Sequence, residues 1–436
     1  MLGLRTTTLL AVALLATTAA CSDVTPLAAT ATTTTVASTS SPSTTASTNS
    51  GTTAASTAST TTAGTPTTPP VDAGYASVVA DQVVDNAALD EFQSFVTGEI
   101  AKAGLPGVSL LVVQHGELVE HEAWGNYQLD TVVPIASGSK WLSAATIMTL
   151  VDDGTLALDE PISTYVPELR GKPGSITLRQ LLSFTSGLVD DDRVPCAHDP
   201  AATMLACART LVAAGVVHEP GQAFRYGGQH LYVAGAIAEY VTGVPFAQLF
   251  HDRIAAPLGM DHTAFAQAGT TGQLDDVTNP SPAGSAFSTM DDYARFLEMI
   301  VHGGVAPDGT RILQEATLAE MQSNQIDGVR YAFAAAFRMK QRTPYGLGEW
   351  LDWTDAQGDA IVISSDGSFG FRPWIDRQND LYGIYLVNDQ GGGYVEGDPR
   401  AAADDGGKVH TSGNWVFEQV AEALGGSLPS VYHPAG

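Results

Sequence analysis

Ile135-Ala136-Ser137-Gly138-Ser139-Lys140-Trp141 opens an apolar run that continues to Leu150-Val151 and stops near Asp153-Gly154, where glycine is a plausible C-cap. If the run is helical, Ser137 and Lys140 stand at i and i+3 on one face, and the lysine amine reaches the serine hydroxyl. A serine hydroxyl is a poor nucleophile at neutral pH. A lysine shielded from water gives up its proton readily enough to act as its base. The spacing therefore points to hydrolysis or group transfer through an acyl-serine. S-x-x-K is a loose pattern, with about one chance match expected in a chain of this length. Lysine is scarce here and this is the single occurrence, so the surrounding sequence has to decide.

Residues 1–20 read as an export signal, with a short positive start ending at Arg5 and an apolar or small-residue stretch from Thr6 to Ala20. Ala19-Ala20-Cys21 resembles a lipoprotein cleavage site, which would leave Cys21 as a lipid anchor on the outer face of a membrane. Thr18 stands where such sites usually carry leucine, so ordinary secretion stays open. The apolar run is too short for a transmembrane helix. Residues 21–74 are almost wholly Thr, Ser, Ala and Pro, with too little apolar surface to form a core, and read as a disordered tether. The folded part is expected over 75–430.

The chain carries 47 acidic and 20 basic residues, a formal charge of −27, which argues against nucleic acid as a partner and against direct adsorption to anionic lipid. Asp190-Asp191-Asp192 and Asp404-Asp405 lack calcium-loop spacing and read as solvated loops. The ten histidines show no H-E-x-x-H or comparable pattern, so neither a metal nor another cofactor is implied. With Cys21 assigned to lipid, Cys196 and Cys207 remain as a pair in an oxidising setting. They are expected to be bonded across a short loop.

Apolar positions at Leu89, Phe92, Phe95, Val96 and Ile100 predict an opening amphipathic helix over 88–103. Runs at 108–113 and 118–123 flank His115-Gly116 and predict a hairpin. Helices are expected over 177–184, 229–241, 246–256, 289–302 and 313–322. Three late strands, 360–363, 371–375 and 382–387, precede a last helix over 414–423. Two strands early and three late, with helices at both ends, predict an α+β fold. One antiparallel sheet is drawn from both ends of the chain, and a mainly helical insertion spans about 150–340.

From about residue 85 to 425 the chain resembles the serine β-lactamase and penicillin-recognising hydrolase family, in particular its class C branch with related D,D-peptidases and esterases. The resemblance is carried by Pro134 to Trp141, by Leu150-Val151-Asp152-Asp153-Gly154-Thr155-Leu156, by Leu181-Leu182-Ser183-Phe184-Thr185-Ser186-Gly187-Leu188, and by Pro257-Leu258-Gly259-Met260. It implies the β-lactamase/transpeptidase-like fold, Ser137 as nucleophile, and a second element, Y-x-N, matched by Tyr226-Gly227-Gly228. Tyr226 would share proton transfer with Lys140, taking the serine proton or delivering one to the leaving group. Gly228 stands where asparagine is usual, so one hydrogen bond to a substrate amide is missing unless Gln229 or His230 supplies it.

The third element, K-T-G or H-x-G, is matched by Ser365-Asp366-Gly367, followed by Ser368. The resemblance implies an oxyanion hole made from the backbone amides of Ser137 and Ser368. Ser365 replaces the basic residue and Asp366 adds a negative charge, so carboxylate-bearing substrates are expected to be held poorly. Arg372 is the candidate replacement cation, against the alternative of a solvated surface arginine. The implied activity is that of an exported serine hydrolase on an ester or amide, with a small molecule or peptide as substrate. The alternatives are a β-lactamase or D,D-carboxypeptidase, and a surface binding or sensor protein that has lost turnover.

Overall fold

The early hairpin and the late strands pair through residues more than 260 positions apart: Leu111 faces Ile384 and Val113 faces Tyr382. The computed structural model describes residues 74–84, 89–90, 93–94, 96–98, 105–189, 195–267, 277–388 and 419–426. The export signal, Cys21, the tether up to residue 73 and both aspartate clusters lie outside the described residues. Six strands form one sheet in the order Glu117–Gly125, Gly107–Gln114, Leu381–Leu386, Arg372–Asp376, Ala360–Ser364, Trp350–Thr354. Every pairing in it is antiparallel. The hairpin turn is closed by His115 at φ 53° and Gly116 at φ 76°, the two left-handed residues of a tight two-residue loop.

Alternation along the strands divides the sheet into two apolar faces. Val108, Leu110, Val112, Trp374 and Tyr385 pack with Leu89 and Val96 of the opening segment and with Val420 near the C-terminal end. Leu111, Val113, Ile375, Ile384 and Leu386 face the other way, into a larger core shared with the helices. The helix Ser139–Asp152 is buried at every position from Ser139 to Leu150, so it runs through the molecule instead of lying on its surface. Gly154, at φ 79°, follows its end.

Between the early and late strands stand Leu178–Leu182, Gln229–Thr242, Phe246–Phe250, Met290–Val301 and Glu315–Met321, close to their expected places. Three of the elements that were not anticipated bear on the site or the disulfide. The strand Trp350–Thr354 has an aspartate at its centre, the helix Met204–Ala213 lies where a loop was expected, and Ala336–Gln341 adds a short helix. Cys196 and Cys207 are bonded, with Cα atoms 5.4 Å apart. The second cysteine sits on the Met204–Ala213 helix, so the link ties a turn to a helix.

Candidate active site

Ser137 does not sit inside the long helix but in the 3-10 turn Ala136–Gly138 that leads into it. Residues i and i+3 lie above one another in that geometry too, so Lys140 remains on the serine's face. The turn is strained: Ala136 is buried at φ 45°, a left-handed conformation that costs energy for any residue with a Cβ. Its neighbours hold it there. Ser139 Oγ donates to Ala136 O at 2.6 Å and accepts from Ala286 N at 3.0 Å, while Tyr293 OH donates to Gly138 O at 2.8 Å. A Cβ on Gly138 would lie 2.6 Å from the Phe371 ring, so only glycine fits that position. The result is a partly exposed hydroxyl beside the N-terminus of a 14-residue helix, whose dipole favours negative charge nearby.

Lys140 Nζ donates to Ser137 Oγ at 2.8 Å and to Ala283 O at 2.8 Å, and the residue is 4% exposed. The Tyr226 phenol makes a hydrogen bond with the Ser137 side chain, and its ring centre lies 4.8 Å from Lys140 Nζ. Ser137, Lys140 and Tyr226 therefore meet at one point. Tyr226 leaves the strand Ala223–Arg225 with its N–H bonded to Phe333 O at 2.9 Å, and its ring stacks on Trp350 at 5.0 Å. Phe184 and Tyr345 approach it edge-on at 5.4 and 6.1 Å. Burial, reinforced by the charge of Asp366, pushes the phenol well above the ordinary tyrosine range, despite the Ser137 hydrogen bond and Arg338 acting the other way. A neutral phenol is a proton donor at neutral pH and not a resting base.

Gly228 begins the helix Gln229–Thr242, and neither proposed substitute for the missing amide is presented to solvent. His230 is buried with Nδ1 against Ser186 Oγ at 2.7 Å and Nε2 against Arg225 O at 2.8 Å. Gln229 is also buried; its carboxamide fills the space beside Gly227, with Oε1 2.2 Å from where a Cβ would stand. His230 is thus a packed histidine that braces the loop carrying Tyr226.

Ser365 is buried and its Oγ donates to Ser137 O at 3.2 Å, joining the third segment to the backbone of Ser137. Gly367 packs against the Ile135 carbonyl, where a Cβ would come within 2.4 Å, and Ser368 is exposed at the next position. The electrostatic expectation for this segment needs correcting. Arg372 is neither a free cation nor a solvated one: it is 2% exposed and bonds both Asp366 and Asp352, the latter at 2.8 Å. Arg338 bonds the same two aspartates. Burial alone would raise the Asp366 carboxyl, but the two guanidinium groups hold it below the ordinary carboxylate range. Asp366 therefore brings no unbalanced negative charge, although the basic side chain absent at 365 remains absent. Arg338, Asp352 and Trp350 were missed by sequence reasoning, because two of them lie on the unanticipated strand and the third on the unanticipated helix.

A family model for beta-lactamase matches residues 92–406, well over half of the chain. The chain belongs to the beta-lactamase family. This makes it a serine hydrolase of the β-lactamase-related kind, a family whose fold is the antiparallel sheet with flanking helices described above. A putative beta-lactamase from Bacteroides dorei is 32% identical, with 77% of this chain and 99% of that one covered and a TM-score of 0.65. An uncharacterized Mycobacterium tuberculosis protein is 29% identical over 66% of this chain and 87% of its own length. EstCE1, described as a hydrolase with promiscuous acyltransferase activity, shares the fold at 21% identity and a TM-score of 0.61, covering 78% and 98% of the two chains. Among the described residues, no group of three His, Cys, Asp or Glu side chains is arranged to hold a metal ion.

Proposed function

We propose that this beta-lactamase family member is an exported hydrolase that forms an acyl-enzyme at Ser137 on an uncharged ester or amide, with esters favoured. The observation that carries the reading is the convergence on one hydroxyl of Lys140 Nζ, at 2.8 Å, and the Tyr226 phenol. In the forward step Lys140 takes the Ser137 proton as Oγ attacks the carbonyl carbon. In this reading the backbone amides of Ser137 and Ser368 supply the donors to the oxygen that becomes negative, as fixed dipoles that need not reorganise. Tyr226, held neutral, delivers its proton to the departing oxygen or nitrogen and is reloaded from Lys140. Water then attacks the acyl-serine by the reverse sequence, releasing the acid and the free enzyme.

Preference for uncharged substrates is supported by the occupancy of the polar groups around the third segment. Ser365 is bonded to the nucleophile's carbonyl, and the arginines at 338 and 372 are each bonded to two aspartates. Export, with Cys21 as a lipid anchor, is supported by the signal-like residues 1–20 and agrees with the Cys196–Cys207 bond. The test compares p-nitrophenyl butyrate turnover and fluorescent penicillin labelling in wild type and Ser137→Ala. Ester turnover that the alanine abolishes, with weak labelling, is the expected result. Turnover surviving in the alanine variant defeats the proposal, and strong labelling with slow ester turnover would move the assignment to a penicillin-binding activity.

A further inference from the structure

Four charged side chains close a ring behind the segment that faces the nucleophile. Arg338 and Arg372 each bridge Asp352 and Asp366, and side-chain exposure is 1%, 2%, 1% and 18% in that order. Two positive and two negative charges balance, so the ring carries no net charge into the interior. Each guanidinium uses a rigid planar fork to span two carboxylates, which fixes direction as well as distance.

The location of the ring gives it a role beyond holding the fold together. Asp366 lies between Ser365, bonded to Ser137 O at 3.2 Å, and Gly367, packed on the Ile135 carbonyl, and it is two residues before Ser368. Ser364 Oγ adds a bond to Asp366 at 3.3 Å. On the other side the Arg338 guanidinium lies 4.6 Å from the Trp350 ring, on which Tyr226 stacks at 5.0 Å. Arg338 also follows closely on the strand Arg330–Phe333, whose Phe333 carbonyl accepts the Tyr226 N–H. One rigid unit therefore touches the supports of both the oxyanion segment and the proton donor.

We infer that Asp366 is a positioning residue for acylation: with Arg338, Arg372 and Asp352 it sets the Ser365–Ser368 segment and the Trp350 platform of Tyr226 in register with Ser137. This rests on the acyl-serine reading above. Substrate need not touch the ring, so its loss acts on the transition state more than on binding.

The test uses the purified full chain with Asp366→Asn and the milder Arg372→Lys, which keeps the charge and loses the fork. Measurements are kcat and KM for a p-nitrophenyl ester, Ki for an arylboronic acid that mimics the tetrahedral intermediate, and the folded fraction by circular dichroism. Displacing an oxyanion donor lowers kcat about 100-fold, with KM within about threefold. The boronate Ki should rise by the same factor as kcat falls, and Arg372→Lys should move both in the same direction by less. Variants that melt lower yet keep wild-type kcat and boronate Ki overturn the inference, because a purely structural ring predicts that pattern. If Asp366→Asn does not fold, Arg372→Lys decides by the same two readouts. Turnover retained in Ser137→Ala would instead overturn the acyl-serine reading, and the positioning role with it.

Discussion

Replacing Glu349 by glutamine should flatten the dependence of stability on pH. Glu349 is fully buried, neither carboxyl oxygen has a hydrogen-bond partner, and it follows Gly348, which packs on Ala144 and the Lys140 carbonyl. Burial pushes its carboxyl from the ordinary 4.5 to about 8, with Arg377 offsetting part of the effect. The folded state therefore keeps a proton that the unfolded chain has released. Stability from this group is fully present below pH 4.5, declines as pH rises, and is lost once pH passes about 8. The slope approaches one proton, ~1.4 kcal/mol per pH unit, and reaches about 5 kcal/mol as a ceiling over the whole window. Glutamine has the same shape and does not titrate; any cost of its own unpartnered amide is the same at every pH. Urea unfolding followed by tryptophan fluorescence at pH 5, 6, 7 and 8 gives the difference between the two proteins. Glu120, raised by burial to about 7, contributes to both and cancels. Parallel stability curves for variant and wild type would refute the reasoning, because they would mean that Glu349 ionises in the folded state as it does in the unfolded one.

Two further outcomes are expected. Lys140→Ala and Tyr226→Phe should each lower kcat by about 10²- to 10⁴-fold, and the double variant should be little worse than the poorer single, since the two groups serve one proton path. Multiplicative losses in a steady-state double-mutant cycle would count against that path. Converting Cys196 and Cys207 to serine should cost about 3 kcal/mol, as the bond closes a loop with a sequence separation of 11. Thermal unfolding of the variant, set beside wild type with and without reductant, measures the loss.

Much of the sheet and of the surroundings of Ser137 was legible because the signals are local. The hairpin announced itself through two β-rich runs around His115-Gly116, and the helix through an apolar run ending at a glycine. The Ser137–Lys140 contact needs only a spacing of three, which survives the change from α-helix to 3-10 turn. The late strands were readable for the same reason, being short β-branched or aromatic runs. Local reading failed at Trp350-Leu351-Asp352-Trp353-Thr354, where an aspartate breaks the apolar pattern. It failed again at the Ser137 turn, since nothing in the residue type of Ala136 signals a left-handed backbone.

The electrostatic misreading has a more general cause. Beside a missing base at 365, Asp366 looked like a repulsive charge, because a sequence shows which charges exist and not which are paired. Its partners come from positions 338 and 372, and theirs from 352, on three different elements. Pairing of that kind is fixed only once the antiparallel order Arg372–Asp376, Ala360–Ser364, Trp350–Thr354 exists, with the short helix Ala336–Gln341 carrying Arg338 to the same place. Removing one member of the ring leaves a buried charge uncompensated, which costs far more than any surface pair is worth. The segment opposite Ser137 is thus held by chemistry remote from it in sequence, and a change at Arg338 or Asp352 should be felt at Ser137 although neither residue belongs to a recognisable motif.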